Sequence, residues 1–544
     1  MRKSFEIIAA LVLVLLTSSL IIPMVIDVIE ENKRQEAETL INSYIDALEQ
    51  QILIYESGTV KEQIKDGLYN NFEYLKDKYN ISVKGKIPVS GFIKIENNKV
   101  TDYQLLINGY IIKKGNETIK GTIHENYKEE ILNGADPEIK GDLIPVIIDD
   151  KGNVTYADIE EKWYSYENKK WANAVILKNK KDYKKGDIIK EEDIKQYYVW
   201  IPRFRYQLWN VDDNSNYPNG NTETPIDIVF ENKYEKISNG TKNGEWLTHP
   251  AFTSLNTNGI WVGKFETSYN EETYINKSLF LKQNINYNIA TIGNNVIIKP
   301  NVRSLTNKTI VEAYNLSRSV NYGLNSHMMK NSEWGAVAYL TYSLFGKCDD
   351  NSCSTISKNN TNTGYNDQEQ LFEEQWKLGS IITGCSASNN SINSNTLSCE
   401  NNYAWNEMNN SSSTTGNITG IYDMVGGNYE YVMSLLEDEN GKLNKNAITG
   451  INLSDNKFYD SYIVDSNINN PWYKYIDGYL GDGIKEIIID NTLGDFKLWF
   501  NDVSKITTYS SPFLVRSGEN TIFSFNNNNG ENNTNTSFRI VLSI

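Results

Sequence analysis

Histidine and cysteine are scarce in this chain of 544 residues, which has three of the first and four of the second. The histidines, His124, His249 and His327, form no HExxH pair, so a zinc-protease helix is excluded. There is no G-x-S-x-G elbow, no Walker loop and no G-x-G-x-x-G behind a strand, which removes the common serine-hydrolase, nucleotide-phosphate and dinucleotide readings. Positive charge is also short: 53 Lys and Arg face 69 Asp and Glu, a net charge of −16, with no basic stripe. Such a surface repels a phosphate backbone, so nucleic acid is not an expected partner. No cysteine follows Cys399, and the first glycine is Gly58.

What is present is ample material for burial: 39% hydrophobic residues and 12% aromatic, with 35 Tyr and 11 Trp, which argues for a folded chain. The length exceeds one ordinary core, so several domains are expected. The Asn-rich runs at 359–366 and 526–537 favour turns and specify no chemistry. Paired acids such as Asp349-Asp350 and Glu373-Glu374 read as solvated surface in so acidic a chain.

Ile7 to Ile26 carries no charge and is long enough for a membrane helix; Arg2 and Lys3 precede it and Asp27, Glu30 and Glu31 follow. The expectation is a single-pass anchor with its N-terminus in the cytoplasm and the remainder outside; a cleaved signal cut near Ser18 or Ser19 is the alternative. Helical spacing continues through Ala37, Leu40, Ile41, Tyr44, Ile45, Leu48, Ile52 and Tyr55 among charged residues, which predicts one helix over residues 5–56. Val89 to Lys114 alternates apolar and polar residues around Asn97-Asn98 and Asn108-Gly109, the pattern of a β-meander. A further β-rich piece is expected over 139–196. Its Trp163, Tyr164, Tyr166, Trp171 and Ala172 suit a core, with a sugar-binding aromatic face as the alternative.

A hydrophobic, then amphipathic, helix leading into a small β domain resembles the N-terminus of type IV pilins and pseudopilins. Glu6 and Pro23 stand 17 residues apart, the separation that family shows between its membrane glutamate and its helix proline. The resemblance implies that Glu6 pairs with a neighbouring subunit's N-terminal amine, so other pilins or pseudopilins become expected partners. Aligned on that pair, the processing junction falls between Met1 and Arg2 and the usual glycine is missing.

Farther along, YYVWIPRF (197–204), GIWVGKFETS (259–268), HMMKNSEWGAVAYL (327–340), GNITGIYDMVGGNYEYVM (416–433), PFLVRSG (512–518) and SFRIVL (537–542) follow one another. This order resembles the formylglycine-generating-enzyme-like, C-type-lectin-like fold, whose pieces read "fwmGkyEvT", "EaEWEyAa", "GlyDMxGNVwEW", "RGGsw" and "GFR". The resemblance makes Gly263, Glu266, Glu333, Trp334, Gly420, Asp423, Gly426, Gly427, Arg516 and Arg539 positions of the fold motif. The family's oxidase binds copper through a cysteine pair between the last "GNVwEW" and "GFR" motifs; that segment has no cysteine here, so no catalytic residue carries over. The four cysteines, Cys348, Cys353, Cys385 and Cys399, sit in one polar insert and read as disulfides, with 348–353 and 385–399 preferred and the other two pairings open. Loop carboxylates and Asn carbonyls suit Ca²⁺ chemically, yet neither an EF-hand loop nor a Glu-Pro-Asn motif is present, so no cofactor is assigned.

The expected architecture is therefore α+β. It comprises a transmembrane and amphipathic helix (1–56), a small meander domain with its connector (57–138), a small β-rich domain (139–196) and a large C-type-lectin-like domain (197–544). The expected function is a bacterial cell-surface, minor-pilin-like display protein whose lectin-like head binds a carbohydrate or protein ligand in adhesion or recognition. A membrane-anchored enzyme of the same superfamily, lacking the copper pair, is the alternative.

Overall fold

The computed structural model describes residues 31–55, 63–120, 136–208, 225–233, 246–269, 295–359, 378–385, 392–393, 398–399, 405–463 and 480–544, apart from short gaps within these ranges. The chain divides into two compact units, residues 1–134 and 135–544.

In the first unit a helix over residues 31–55 covers an antiparallel sheet of five strands in sequence order: Gly67–Tyr69, Ser90–Glu96, Lys99–Ile107, Tyr110–Lys113 and Glu117–Lys120. The helix spends its apolar stripe there. Ala37, Ile41, Tyr44, Ile45, Leu48 and Ile52 are buried in one core with Ile93, Ile95, Leu105 and Ile107. The Tyr44 hydroxyl donates to the Phe72 carbonyl at 2.9 Å, so its one polar atom is satisfied as it is buried. Asn97 and Asn98 both take positive φ, the backbone a two-residue hairpin turn requires, and Asn108 does so at the next turn.

The second unit is built on an eight-stranded sheet in the order His327–Met328, Ile540–Leu542, Gly259–Gly263, Ile194–Pro202, Asn173–Leu177, Ile144–Ile148, Val154–Tyr156, Ile188–Ile189. The strand Ile194–Pro202 is buried over nearly its whole length, which its run of Tyr, Val, Trp and Ile permits. Trp200 lies opposite Trp261 on the neighbouring strand, ring centroids 5.2 Å apart. Four strands of this sheet come from residues 139–196 and the remaining four from 194–542, so the stretch expected as a small β-rich domain shares its sheet with the large one. A second sheet, of four strands, orders Phe525–Asn528, Phe513–Arg516, Tyr429–Val432 and Thr536–Phe538. Beside these run two eleven-residue helices. Ile310–Val320 begins with a Thr309/Glu312 capping box, and Asn331–Thr341 is buried on every side.

The expected α+β class is corrected by this architecture. The protein is mostly β-sheet, with five α-helices among the described residues, three of them eleven residues or shorter besides a four-residue turn and the 31–55 helix. The membrane anchor, with the single-pass location and the pilin-like character derived from it, is corrected as well. Among the described residues no helix is long and apolar enough to cross a membrane. The physical reason in the described helix is that its apolar residues occupy one face only and are covered by the sheet of its own unit, while Glu31, Glu36, Asp46 and Glu49 are exposed. Residues 7–26, with Glu6 and Pro23, lie outside the described residues.

Candidate functional site

The residues singled out by the second resemblance gather into two buried polar networks in the larger unit. The first is centred on Arg539, at the entry to the C-terminal strand. Its guanidinium grips Glu430 at both oxygens (Nε to Oε2 3.0 Å, Nη2 to Oε1 2.6 Å) and donates to the carbonyls of Gly263 (2.8 Å) and Tyr422 (3.1 Å). This fork-to-fork geometry is what arginine, and not lysine, provides. Asp423 accepts from the Gly384 amide at both oxygens (2.9 and 3.0 Å) and from the Asn359 amide group at 2.8 Å. Glu266 accepts from the backbone and side-chain nitrogens of Asn428, at 2.9 and 3.2 Å. The adjoining Lys264 is fully buried and donates to three neutral oxygens, Asn173 Oδ1 and the carbonyls of Ile418 and Gly420, at 2.7 to 2.9 Å.

Two glycines make this closure possible. Gly427 has φ +70°, and a Cβ there would stand 2.4 Å from Glu266 Oε1; Gly426 has φ +74°, and its Cβ would meet the Asn359 backbone at 2.6 Å. Any side chain would push the turn off the carboxylates it encloses.

Electrostatically the cluster holds three carboxyls against one guanidinium in the dry interior. Burial drives the Glu266 carboxyl well above the ordinary carboxylate range, and the neighbouring Glu430 and Asp423 push it further against the opposing pull of Arg539. Burial raises Asp423 as well, and it takes Glu430 to about 7 even with Arg539 in contact. Burial likewise lowers the Lys264 amine well below its usual value.

The second network surrounds the start of the Asn331–Thr341 helix. Arg516 donates to Asn331 Oδ1 (2.8 Å) and to the carbonyl of Phe523 (3.0 Å). The Trp334 indole donates to the Ile522 carbonyl at 2.7 Å, and Glu333 contacts His327 Nε2 at 2.9 Å. Asp482 accepts from the Tyr462 hydroxyl and from the Ile484 amide, while Glu486 takes the hydroxyls of both Tyr206 and Tyr339.

The ten motif positions thus divide between the networks: Gly263, Glu266, Gly420, Asp423, Gly426, Gly427 and Arg539 in the first, Glu333, Trp334 and Arg516 in the second. Each polar side chain among them is buried and partnered, so the arrangement ties distant segments together and presents no reacting group to solvent. Sequence reasoning missed Lys264, His327, Asn428 and Glu430, although all four lie inside the stretches that carry the resemblance. It also missed Asn359 and Gly384, which reach Asp423 from loops with no signature of their own.

Cys348 and Cys353 form a disulfide across a two-stranded hairpin, Cys348–Asp349 paired with Ser352–Cys353. Lys169 secures it by donating to the Cys348 carbonyl and to Asp349, both at 2.8 Å. Cys385 is disulfide-bonded too, and there is no free cysteine among the described residues. Thiols consumed in disulfides are not available as copper thiolates, so the residues present do not fit the copper centre that the resemblance brings with it. Among the described residues no group of three His, Cys, Asp or Glu side chains could hold a metal ion. A Cys348→Ser protein is expected to lose about 2 kcal/mol, because the bridge closes a sequence separation of only five residues. Denaturant unfolding of reduced and oxidised wild type beside the variant measures this.

Of the aromatic group at 163–171, two rings turn fully inward, while Trp163 and Tyr164 are half-buried. Tyr166 and Trp171 are buried, the Tyr166 hydroxyl donates to the Trp200 carbonyl and the Trp171 indole to the Phe345 carbonyl, each at 2.7 Å. These rings are core, and the sugar-platform alternative fails for them because their polar edges already have partners.

No protein-family model matches the chain, and no curated protein matches it.

Proposed function

We propose that the unit of residues 135–544 is a recognition module, a formylglycine-generating-enzyme-like and C-type-lectin-like scaffold whose loops bind a carbohydrate or protein ligand. The observation that carries this reading is the closure of both polar networks. The acids, amides and arginines of the motif stretches are spent on one another and on backbone, which suits a rigid support and leaves them no part in turnover. The segment that joins two of the motif pieces carries the Cys348–Cys353 hairpin, a stapled loop of the kind such a support can present.

The full-length protein is applied to an array of immobilised glycans and assayed in parallel, copper-loaded, against a cysteine-containing sulfatase-type peptide. Saturable retention on a chemically related subset of glycans, without conversion of the peptide cysteine, is the expected result. Turnover of the peptide with no retention on the array overturns the reading in favour of the enzyme.

A further inference from the structure

His327 lies on the outermost strand of the eight-stranded sheet and is completely buried, as is Glu333 in the first turn of the helix that follows. Its Nδ1 stands 2.7 Å from the backbone carbonyl of Asn325 and its Nε2 stands 2.9 Å from Glu333 Oε1. A carbonyl oxygen only accepts, so the proton of a neutral imidazole is committed to Nδ1. Nε2 would then meet the carboxylate lone pair to lone pair. The geometry therefore requires one more proton than a neutral histidine and an ionised glutamate possess.

The surroundings fix where that proton resides. The second Glu333 oxygen accepts from the Lys330 amide at 2.8 Å, as a carboxylate at a helix start does. Burial alone would push Glu333 up, but His327, and then Lys330, outweigh it and hold the carboxyl below its ordinary value, so the imidazole is the protonated partner. Phe458 lies against the imidazole at 5.0 Å between centroids, with the Arg318 guanidinium 3.6 Å and the Lys457 ammonium 4.8 Å from the centroid of the Phe458 ring. Arg318 is tied to the Ser326 carbonyl at 2.7 Å, and the Lys330 ammonium is drawn to Ser254 (2.7 Å) and Asp460 (4.0 Å). Glu333 is thus the acidic side chain that meets His327 directly.

The residues between the two partners hold three parts of the unit together. His327 and Met328 pair with Val541 and Ile540, the Met329 amide donates to the Arg539 carbonyl, and the Met329 carbonyl accepts from Met433. We infer that His327 and Glu333 form a proton-dependent clasp that locks the edge strand His327–Met328 onto the C-terminal strand while the imidazole is charged and releases it when that proton leaves. Deprotonation sets two acceptors face to face in the core. The cheapest relief is for the two-residue edge strand to part from Ile540–Leu542, baring that strand's backbone edge. Imidazoles generally change charge between about pH 5 and pH 8, so a span from about pH 6 to about pH 9 brackets the release.

Hydrogen exchange of the full-length protein, followed by mass spectrometry from about pH 6 to about pH 9 and corrected for intrinsic rates, reads the release directly. Peptides spanning 325–333 and 538–544 are expected to lose at least ~10-fold more protection across the window than the strand Ile194–Pro202, which reports global opening of the unit. In Glu333→Gln, whose amide can donate to a neutral Nε2, the step should vanish. Because that variant could fold poorly, ¹³C-labelled histidine spectra of wild type supply a second reading, with only three histidines to assign. An imidazolium signal for His327 at about pH 6 that is lost together with the protection is expected. A neutral His327 at about pH 6, unchanged protection across the window, or the same step in Glu333→Gln would each overturn the clasp.

Discussion

Arg539→Ala is expected to destabilise the 135–544 unit by about 3–5 kcal/mol, the cost of removing one partner from a buried, hydrogen-bonded charge pair. The substitution deletes both contacts to Glu430 and strips the Gly263 and Tyr422 carbonyls of their donor, all in a region without solvent to replace them. Glu430 would have to take up a proton to remain inside. Arg539→Lys restores the charge but not the planar fork, so it should recover only a minor part of the loss. Urea unfolding followed by tryptophan fluorescence suits the measurement, because Trp200, Trp261 and Trp334 are all buried in this unit. A loss under about 1 kcal/mol for Arg539→Ala would show that the network contributes little and that the carboxyls are accommodated in some other way.

The second large effect is a dependence on pH. Burial raises Glu430 to about 7, against the Arg539 guanidinium, and raises Asp482 to about 7, against Arg516. Their unfolded values are near the ordinary ~4. A carboxyl whose folded value is raised holds its proton more tightly in the native state. Its contribution is therefore complete below the unfolded value and is lost as pH rises through the folded one. Stability should fall between about pH 4 and about pH 7, by a few kcal/mol for the two groups together, most steeply midway between their unfolded and folded values. Thermal unfolding across that range, with proton uptake measured on folding at neutral pH, checks both the sign and the window. A melting temperature that rises steadily from about pH 4 to about pH 7 would contradict it. This loss concerns the whole unit, whereas opening of the His327 clasp is confined to the edge strand, so global unfolding and local exchange separate the two.

Much of the local structure was legible in advance because it depends on neighbours in the chain. The helix stripe from Ala37 to Ile52 follows from a period of 3.6, and the hairpins around Asn97-Asn98 and Asn108 follow from residues that tolerate positive φ. Class was harder to read. The long apolar and amphipathic start drew attention to helix, while all but three of the strands among the described residues are two to five residues long, each too short to show a clear alternation. The boundary expected at residue 196 falls inside the strand Ile194–Pro202, because the hydrogen bonds from Asn173–Leu177 to that strand join stretches that look separate along the sequence.

For the candidate site the division is similar. Gly426, Gly427, Asp423 and Arg539 could be singled out by type and order, since a tight turn needs glycine and a buried carboxyl needs a donor fork. That Arg539 serves Glu430, while Glu266 and Asp423 rely on amides, could not. Their partners lie 39 to 162 residues away, and only packing of the sheets decides which donor reaches which oxygen. The sequence by itself determined the acidic balance, the stock of aromatics, the helical stripe, the turn positions and the absence of any cysteine beyond Cys399, because each is a property of composition or of a few adjacent residues. The tertiary structure alone decided that the chain is mostly β, that residues 139–196 complete the large sheet, and that His327 faces Glu333 with a carbonyl behind it. These depend on contacts between distant segments, whose energies arise only once water has been removed from between them.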